Sequence, residues 1–315
     1  MPTNKQKICI LIPVFEDFEC LPLLEEKIKH HLSHITDYNI LVIDDGSFKG
    51  LDKKLGIENS KRIKILTLSQ NVGHQRSITI GLCYIREHCD CDQILIMDGD
   101  GEDNPADAVK LISESEKHSE PTIYFARRDT RSEPISFKFG YLLYRVLFRV
   151  LTGKNIKFGN FSLVPKKMLD RITGIQEIWN HYAASIVFAK IPYIEVPSSR
   201  SGRIHGRPKM NFASLILHGL SAISIFHQTV FLRLLIVSLM LLIITLAVIF
   251  IINFASIHVD IIYLIMSVFI GLFFVHFNFT AIIFSLKSTD RLYATVYKPG
   301  AGDPWMLFWT RNWRC

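Results

Sequence analysis

Apolar residues along this chain follow three successive patterns, and each predicts a different kind of element. Up to about residue 130, short β-branched runs at 8–14, 40–43, 63–68, 94–97 and 122–126 alternate with longer stretches of helical spacing. That alternation predicts strands separated by helices in a parallel α/β sheet. Helices are expected over 19–32, 74–88 and 106–117. The last is opened by Asn104 as cap and Pro105 at the first helical position, where a missing N–H is no loss.

From 135 to 151 the pattern becomes amphipathic, with Lys138, Arg145 and Arg149 on one side of an apolar, aromatic helix, and 211–227 is a second stretch of this kind. Basic amphipathic helices either lie in a membrane interface, holding a catalytic domain against it, or pack as core helices with a solvated basic edge. The third pattern is continuous: 234–259 and 261–286 each run about 26 residues without Lys or Arg, longer than the roughly 20 that cross a bilayer core. Between them, 255–260 carries no Lys or Arg, whereas Arg233, Lys287, Arg291 and Lys298 flank the outer ends. The positive-inside rule then puts both termini in the cytoplasm of a cell-bounding membrane.

The resulting plan is an α/β domain over 1–210, including the helix at about 135–152. A juxtamembrane helix over 211–230, a transmembrane hairpin over 231–286 and a cytoplasmic tail over 287–315 follow. Trp305, Phe308, Trp309 and Trp313 sit among basic residues in the tail and read as an interfacial anchor. Near the N-terminus, Lys5 and Lys7 precede an apolar run broken by Pro13, too short to span and without a cleavage pattern, so no signal peptide is expected.

Composition changes this picture little. The net charge of +7 gathers beside the hydrophobic segments, where anionic headgroups meet it, so a membrane surface rather than nucleic acid is the expected partner. Cys9, Cys20, Cys83, Cys89, Cys91 and Cys315 form no C-x-x-C framework; they are expected to be reduced, without zinc. Self-association is neither required nor excluded.

Candidate chemistry sits in the loops that follow the strands, where open α/β sheets bind ligands. These loops are Pro13-Val14-Phe15-Glu16-Asp17, Asp44-Asp45-Gly46-Ser47, Asn71-Val72-Gly73 and Asp98-Gly99-Asp100-Gly101-Glu102-Asp103. Two acids one residue apart suit a hard divalent cation that takes the rest of its shell from diphosphate oxygens and water. The alternatives are a capped tight turn at Asp44-Asp45 and a purely structural loop at Asp98-Gly99-Asp100. No Gly-x-Gly-x-x-Gly follows the first strand, which argues against a dinucleotide-dependent dehydrogenase.

These motifs, in this order and with the hydrophobic segments behind them, resemble family 2 glycosyltransferases over about residues 7–286, and in particular their polyprenyl-phosphate branch. The resemblance implies a GT-A, Rossmann-like nucleotide-sugar-binding domain. It implies that Pro13, Phe15, Asp17, Asp44, Asp45, Asn71 and Gly73 bind the donor, together with Gly99 and Asp103. Asp98 and Asp100 match the family's Asp-x-Asp, the second acid touching Mg2+ or Mn2+ and the first lying near ribose or metal. Arg127, Arg128 and Arg131 match an arginine group expected near the acceptor phosphate, for which planar, permanently charged guanidinium groups are suited. Arg203-Ile204-His205-Gly206-Arg207-Pro208-Lys209 matches an Arg-x-x-Gly-x-x-Lys loop that closes over the diphosphate, with Arg203 and Lys209 neutralising it. A solvated charged loop is the plainer alternative there. Glu177 is a candidate sugar ligand; His181 and His205 are candidate metal ligands or structural histidines.

Three positions depart from the family pattern. Glu16 stands where Asn is usual, His74 where Lys or Gly is common, and Asn160 where several relatives have an acid that could serve as base. The acid is dispensable for one acceptor class, because a lipid monophosphate has a second pKa near ~6 and carries no proton to remove at pH 7. The resemblance therefore implies transfer of one hexose, with inversion, from a nucleotide sugar, UDP-hexose by preference, to a polyprenyl phosphate on the cytoplasmic face. Two other readings stay open. One is a glycolipid or polysaccharide synthase, although Gln-x-x-Arg-Trp is missing; the other is a non-catalytic nucleotide-binding scaffold, although the metal carboxylates are retained.

Overall fold

The computed structural model describes residues 5–48, 60–128, 135–199, 202–204 and 212–254, with scattered positions between 263 and 280. They fall into two units: a sheet unit built from residues up to 133 and 156–209, and a helical unit built from 134–155 and 210–291.

In the sheet unit, β1 (Lys7–Val14) lies between β2 (Asp37–Asp44) and β4 (Gln93–Ile96), parallel to both, and β3 (Ile63–Thr67) extends this half at one edge. Helices cover both faces, which is why β1 is buried from Ile8 to Val14 instead of alternating. On one face Ile8, Ile10 and Ile12 join a core with α1 (Leu21–Leu32) and α3 (Pro105–Ser115), which bury Leu24, Ile28, Leu111 and Ile112. On the other face α2 (His74–His88) approaches β1 closely at Gly81, where a Cβ would lie 2.3 Å from Leu11 Cδ1. Asn104 caps α3 as the sequence predicts, its Oδ1 accepting from Ala106 N at 3.1 Å.

The expected parallel sheet is corrected to a mixed one. Its seven strands run β3-β2-β1-β4-β6-β5-β7, and β6 (Phe158–Pro165) is antiparallel to both β4 and β5 (Ile123–Arg128). β7 (Tyr193–Ser198) adds parallel to β5 at the far edge. Neither β6 nor β7 stands out in the sequence: β6 opens on the poor strand formers Gly159 and Asn160, and β7 carries Pro197, tolerated because its strand is at an edge. Two short helices, α5 (Leu169–Thr173) and α6 (Tyr182–Phe188), follow β6.

The helical unit contains α4 (Ile135–Thr152), α7 (Phe212–Ser224) and α8 (His227–Phe254). Phe148 of α4 meets Phe226 edge to face at 5.9 Å between centroids, and Arg233 donates to Val150 O at the end of α4. Beyond these contacts α4 leaves Leu143, Val146 and Val150 exposed. α8 is long and apolar enough to cross a membrane by length and composition, with a mean hydropathy of 2.7 over His227–Val248 and 6% of that window buried. It starts at His227 rather than 234, so residues expected in a separate juxtamembrane helix form its first turns.

The second predicted span is described at 263, 265–266, 268–273, 276–277 and 279–280, all helical. The predicted connection 255–260, residues 281–286 and the tail lie outside the described residues, and a two-helix hairpin is not shown.

Candidate active site

Three loops at the carboxyl ends of β1, β2 and β3 are stitched together by backbone hydrogen bonds before any ligand is considered. After β1, Glu16 adopts a positive φ of 52°; its N–H donates to Ser47 Oγ at 2.9 Å and its carboxylate accepts from Phe48 N. After β2, Asp44 Oδ1 accepts from Ser47 N at 3.0 Å, and Asp45 accepts from Val72 N at 2.8 Å and Gly73 N at 2.9 Å. Gly46, at φ +73°, lets that loop lie directly on the backbone of Gln70 and Asn71; a Cβ would sit 2.5 Å from the Gln70 carbonyl carbon. Burial raises the Asp45 carboxyl above its ordinary range against the pull of those two N–H groups. Asp44 and Asp45 thus shape the turn and the start of α2.

The acidic loop after β4 folds on itself in a similar way. Asp103, 3% exposed, accepts from Asp98 N at 2.9 Å, and Asp100 Oδ1 accepts from Glu102 N at 2.9 Å. Gly99 fits against Pro13 O and Val14, and Gly101, at φ +79°, fits under the Ile204 side chain. Ile204 N donates to Asp100 O at 3.0 Å, which brings Arg203 over the loop. Its Nη2 lies 2.7 Å from Asp100 Oδ2 and its Nη1 3.8 Å from Asp17 Oδ2. A single guanidinium therefore sits between carboxylates from the first and fourth strand loops. His74, the first residue of α2, brings Nε2 to 3.2 Å from Asp98 Oδ1.

The electrostatics show a site with too much negative charge. Burial, and then the neighbouring Asp98, raise the Asp100 carboxyl above its usual range, and Arg203 only partly offsets them. Packing disfavours a charge on His74, but Asp98, Asp103 and Asp100 outweigh it and raise the imidazole above its ordinary value. Among the described residues no three His, Cys, Asp or Glu side chains form a self-sufficient metal cage. Two mutually repelling carboxylates are instead the partial shell that a hard cation completes with substrate oxygens, and Asp98 and Asp100 fit such an ion.

Of the residues singled out from the sequence, Pro13, Phe15, Asp17, Asp44, Asp45, Asn71, Gly73, Asp98, Gly99, Asp100, Asp103 and Arg203 lie in these loops or at the strand ends that lead into them. Arg128 ends β5, but its side chain, like Arg131, His205 and Lys209, lies outside the described residues. Arg127 pairs with Glu195 of β7 at 3.5 Å. His181 caps α6, its Nδ1 accepting from Ala184 N at 3.3 Å. Gln75 escaped the sequence reading although it is buried and bridges α6 to Asn160. The only hint was a series of polar residues, Gln75, Ser77 and Thr79, in a helix whose apolar neighbours are buried too.

Residues 9–179 match the profile of Glycosyl transferase family 2. The chain belongs to this family. As a family 2 glycosyltransferase it carries the GT-A-like arrangement of a mixed seven-stranded sheet with its acidic loop after β4. It is 24% identical over 230 residues to the uncharacterized glycosyltransferase YkcC of Bacillus subtilis (strain 168), covering 70% of this chain and 68% of that protein. It is 26% identical over 226 residues to undecaprenyl-phosphate 4-deoxy-4-formamido-L-arabinose transferase of Proteus mirabilis (strain HI4320), covering 67% of this chain. The match spans 64% of that transferase, just under two thirds of its length. Among solved structures, glucosyl-3-phosphoglycerate synthase from Mycobacterium tuberculosis, in complex with Mn2+, UDP-glucose and phosphoglyceric acid, shares the fold. It has a TM-score of 0.50 at 11% identity, over 71% of this chain and 80% of that one.

Proposed function

We propose that this glycosyltransferase is membrane-bound and moves one hexose, with inversion, from a nucleotide sugar to a polyprenyl phosphate on the cytoplasmic face. The observation that carries the donor half is the seat of Arg203 between Asp17 and Asp100, beside Asp98. A guanidinium next to a cation-seeking carboxylate pair is suited to a nucleoside diphosphate that gains charge as it leaves. The acceptor half is supported by the relatives named as undecaprenyl-phosphate sugar transferases, and membrane attachment by α8.

In this reading Pro13, Phe15, Asp17, Asn71 and Gly73 contact the nucleoside, with Asp44 and Asp45 holding their loops in place. Arg203, with Lys209, meets the diphosphate, while Asp103 supports the acidic loop. Asp98 and Asp100 would hold Mg2+ or Mn2+, which supplies Lewis-acid neutralisation of the leaving diphosphate when bound. Arg128 and Arg131 hold the acceptor phosphate in line with the anomeric carbon. One phosphate oxygen forms the new bond to that carbon while the bond to the diphosphate oxygen breaks, its electron pair leaving with the nucleoside diphosphate. No proton moves, because the acceptor arrives as a dianion, and that suits a site with an amide at Asn160. Placement and charge neutralisation then supply the catalysis.

The test is label transfer by the full chain in detergent or nanodiscs with Mn2+ or Mg2+. UDP-glucose comes first, being the donor bound by the similarly folded synthase, followed by UDP-N-acetylglucosamine and GDP-mannose, with undecaprenyl phosphate as acceptor. One donor is expected to give a mild-acid-labile lipid product, reduced at least about 100-fold in Asp100→Ala. Label in diacylglycerol instead would shift the assignment to a glycolipid synthase. Failure with every donor and acceptor would sink the reading.

A further inference from the structure

β7 is an edge strand, and its parallel ladder to β5 ends at Ser198, opposite Arg128. Ser199 lies beyond that ladder. Its backbone N–H donates to Asp107 Oδ2 at 2.9 Å, and its hydroxyl lies 3.3 Å from the same oxygen. Asp107 stands in the first turn of α3, 92 residues earlier in the chain, and is 2% exposed. A carboxylate so deeply placed costs stability unless its oxygens are paired. Here they divide the work: Oδ1 meets Lys110 Nζ at 2.6 Å, one turn further along α3, and Oδ2 serves Ser199.

An acid in the first turn suits the helix dipole, and its pairing with a lysine three residues on is a common local contact. Neither accounts for the two contacts with Ser199, at the root of the segment that carries Arg203. Arg203 follows Ser199 by four residues, a stretch that covalent geometry limits to about 14 Å. On the far side of Arg203, Ile204 N donates to Asp100 O at 3.0 Å and the Ile204 side chain lies over Gly101. The segment is therefore tied on both sides of the guanidinium. Both ties belong to one stretch, 100–107, in which Asn104 caps α3, so the acidic loop and the segment keep their register together. We infer that Asp107 is a positioning residue for Arg203: its buried carboxylate fixes where the segment leaves the sheet, so that the guanidinium reaches the donor diphosphate beside Asp17 and Asp100. The inference rests on the donor reading above.

The experiment measures UDP binding to the full chain by calorimetry at saturating Mn2+, a readout independent of turnover, with the thermal midpoint of each variant as the structural control. Asp107→Ala is expected to weaken UDP binding about tenfold in the wild-type background and less than about twofold when Arg203 is already alanine, the non-additivity of one residue acting through another. Asp107→Asn, which keeps an acceptor for Ser199 N, is expected to bind UDP within about threefold of wild type. Lys110→Ala, which breaks only the ion pair, is expected to bind as wild type does. Should Asp107→Ala not fold, Ser199→Pro carries the same expectation in both Arg203 backgrounds. It deletes the N–H and leaves α3 intact, and the extended Ser198 before it suits proline. Equal losses in both Arg203 backgrounds, a loss in Lys110→Ala as large as in Asp107→Ala, or losses that simply track a fall in midpoint would overturn the positioning role and leave the donor site standing. No Mn2+-dependent UDP binding by wild type, or none lost in Arg203→Ala, would overturn the donor reading itself, and the inference with it.

Discussion

The two ends of the sheet are built from the same strands and treat charge in opposite ways. At the amino end, Lys7 Nζ meets Asp90 at 2.6 Å, Lys7 N donates to Asp92 at 2.8 Å, and Gln93 donates to Ser115 Oγ at 3.1 Å. At the carboxyl end, Asp17, Asp98, Asp100 and Asp103 crowd around Arg203 and His74. Backbone conformation divides in the same way. Glu16, Gly46, Gly73 and Gly101 take positive φ at the carboxyl end, against Lys190 at the other among the described residues of this unit. Glycine takes such turns without strain, but surplus like charge destabilises a fold unless something outside it completes the arrangement, which under the proposed reading is a cation with a diphosphate. The difference separates the end built to stand alone from the end built to be filled.

Arg203→Ala tests this contrast most severely. Removing the cation between Asp17 and Asp100 is expected to lower sugar transfer by roughly 10²–10³-fold, whereas Lys7→Ala, which breaks an exposed pair at the other end, should leave transfer unchanged. Equal losses in the label-transfer assay would erase the distinction. Next in size is Gly46→Ala, which sets a methyl group 2.5 Å from the Gln70 carbonyl carbon at a φ of +73°. A destabilisation of about 2–3 kcal/mol is expected in denaturant titration; Gly159→Ala, with open space around it, should stay within about 0.5 kcal/mol. The smallest effect concerns the amino end. The Cys9 thiol, followed by Lys64 and Lys166, holds the Cys89 thiol down to about 7, while burial pushes Cys91 up to about 11. Iodoacetamide labelling followed by mass spectrometry should therefore rise at Cys89 as pH increases through about 7, because its thiolate forms there, and leave Cys91 unmodified at pH 8.

The loops of the carboxyl end were legible because each follows a run that can only be a buried strand, and because their residue types serve chemistry and turn geometry together. Helix α2 and the Asn104 cap were legible for the same local reason. What stayed hidden depends on contacts far apart in sequence. β6 is a strand because β4 and β5 flank it, not because Gly159 and Asn160 favour one. Asp45 could be read as a ligand or as a turn cap, and its bonds to Val72 and Gly73, which tie the loop after β2 to the entry of α2, join residues 27 and 28 positions apart. Gln75 gave only the hint of a polar series in a buried helix, since its meaning comes from Tyr182, more than 100 residues later.

The acidic loop carries a consequence for what the site admits. Asp100 and Asp17 gather around the guanidinium of Arg203 with Asp98 beside them, so carboxylates outnumber the cation that serves them. Under the proposed reading, a diphosphate must settle among Asp17, Asp98 and Asp100, where a bare nucleotide is repelled. The donor then enters as a chelate, and occupancy follows the supply of the ion as closely as the supply of the sugar nucleotide.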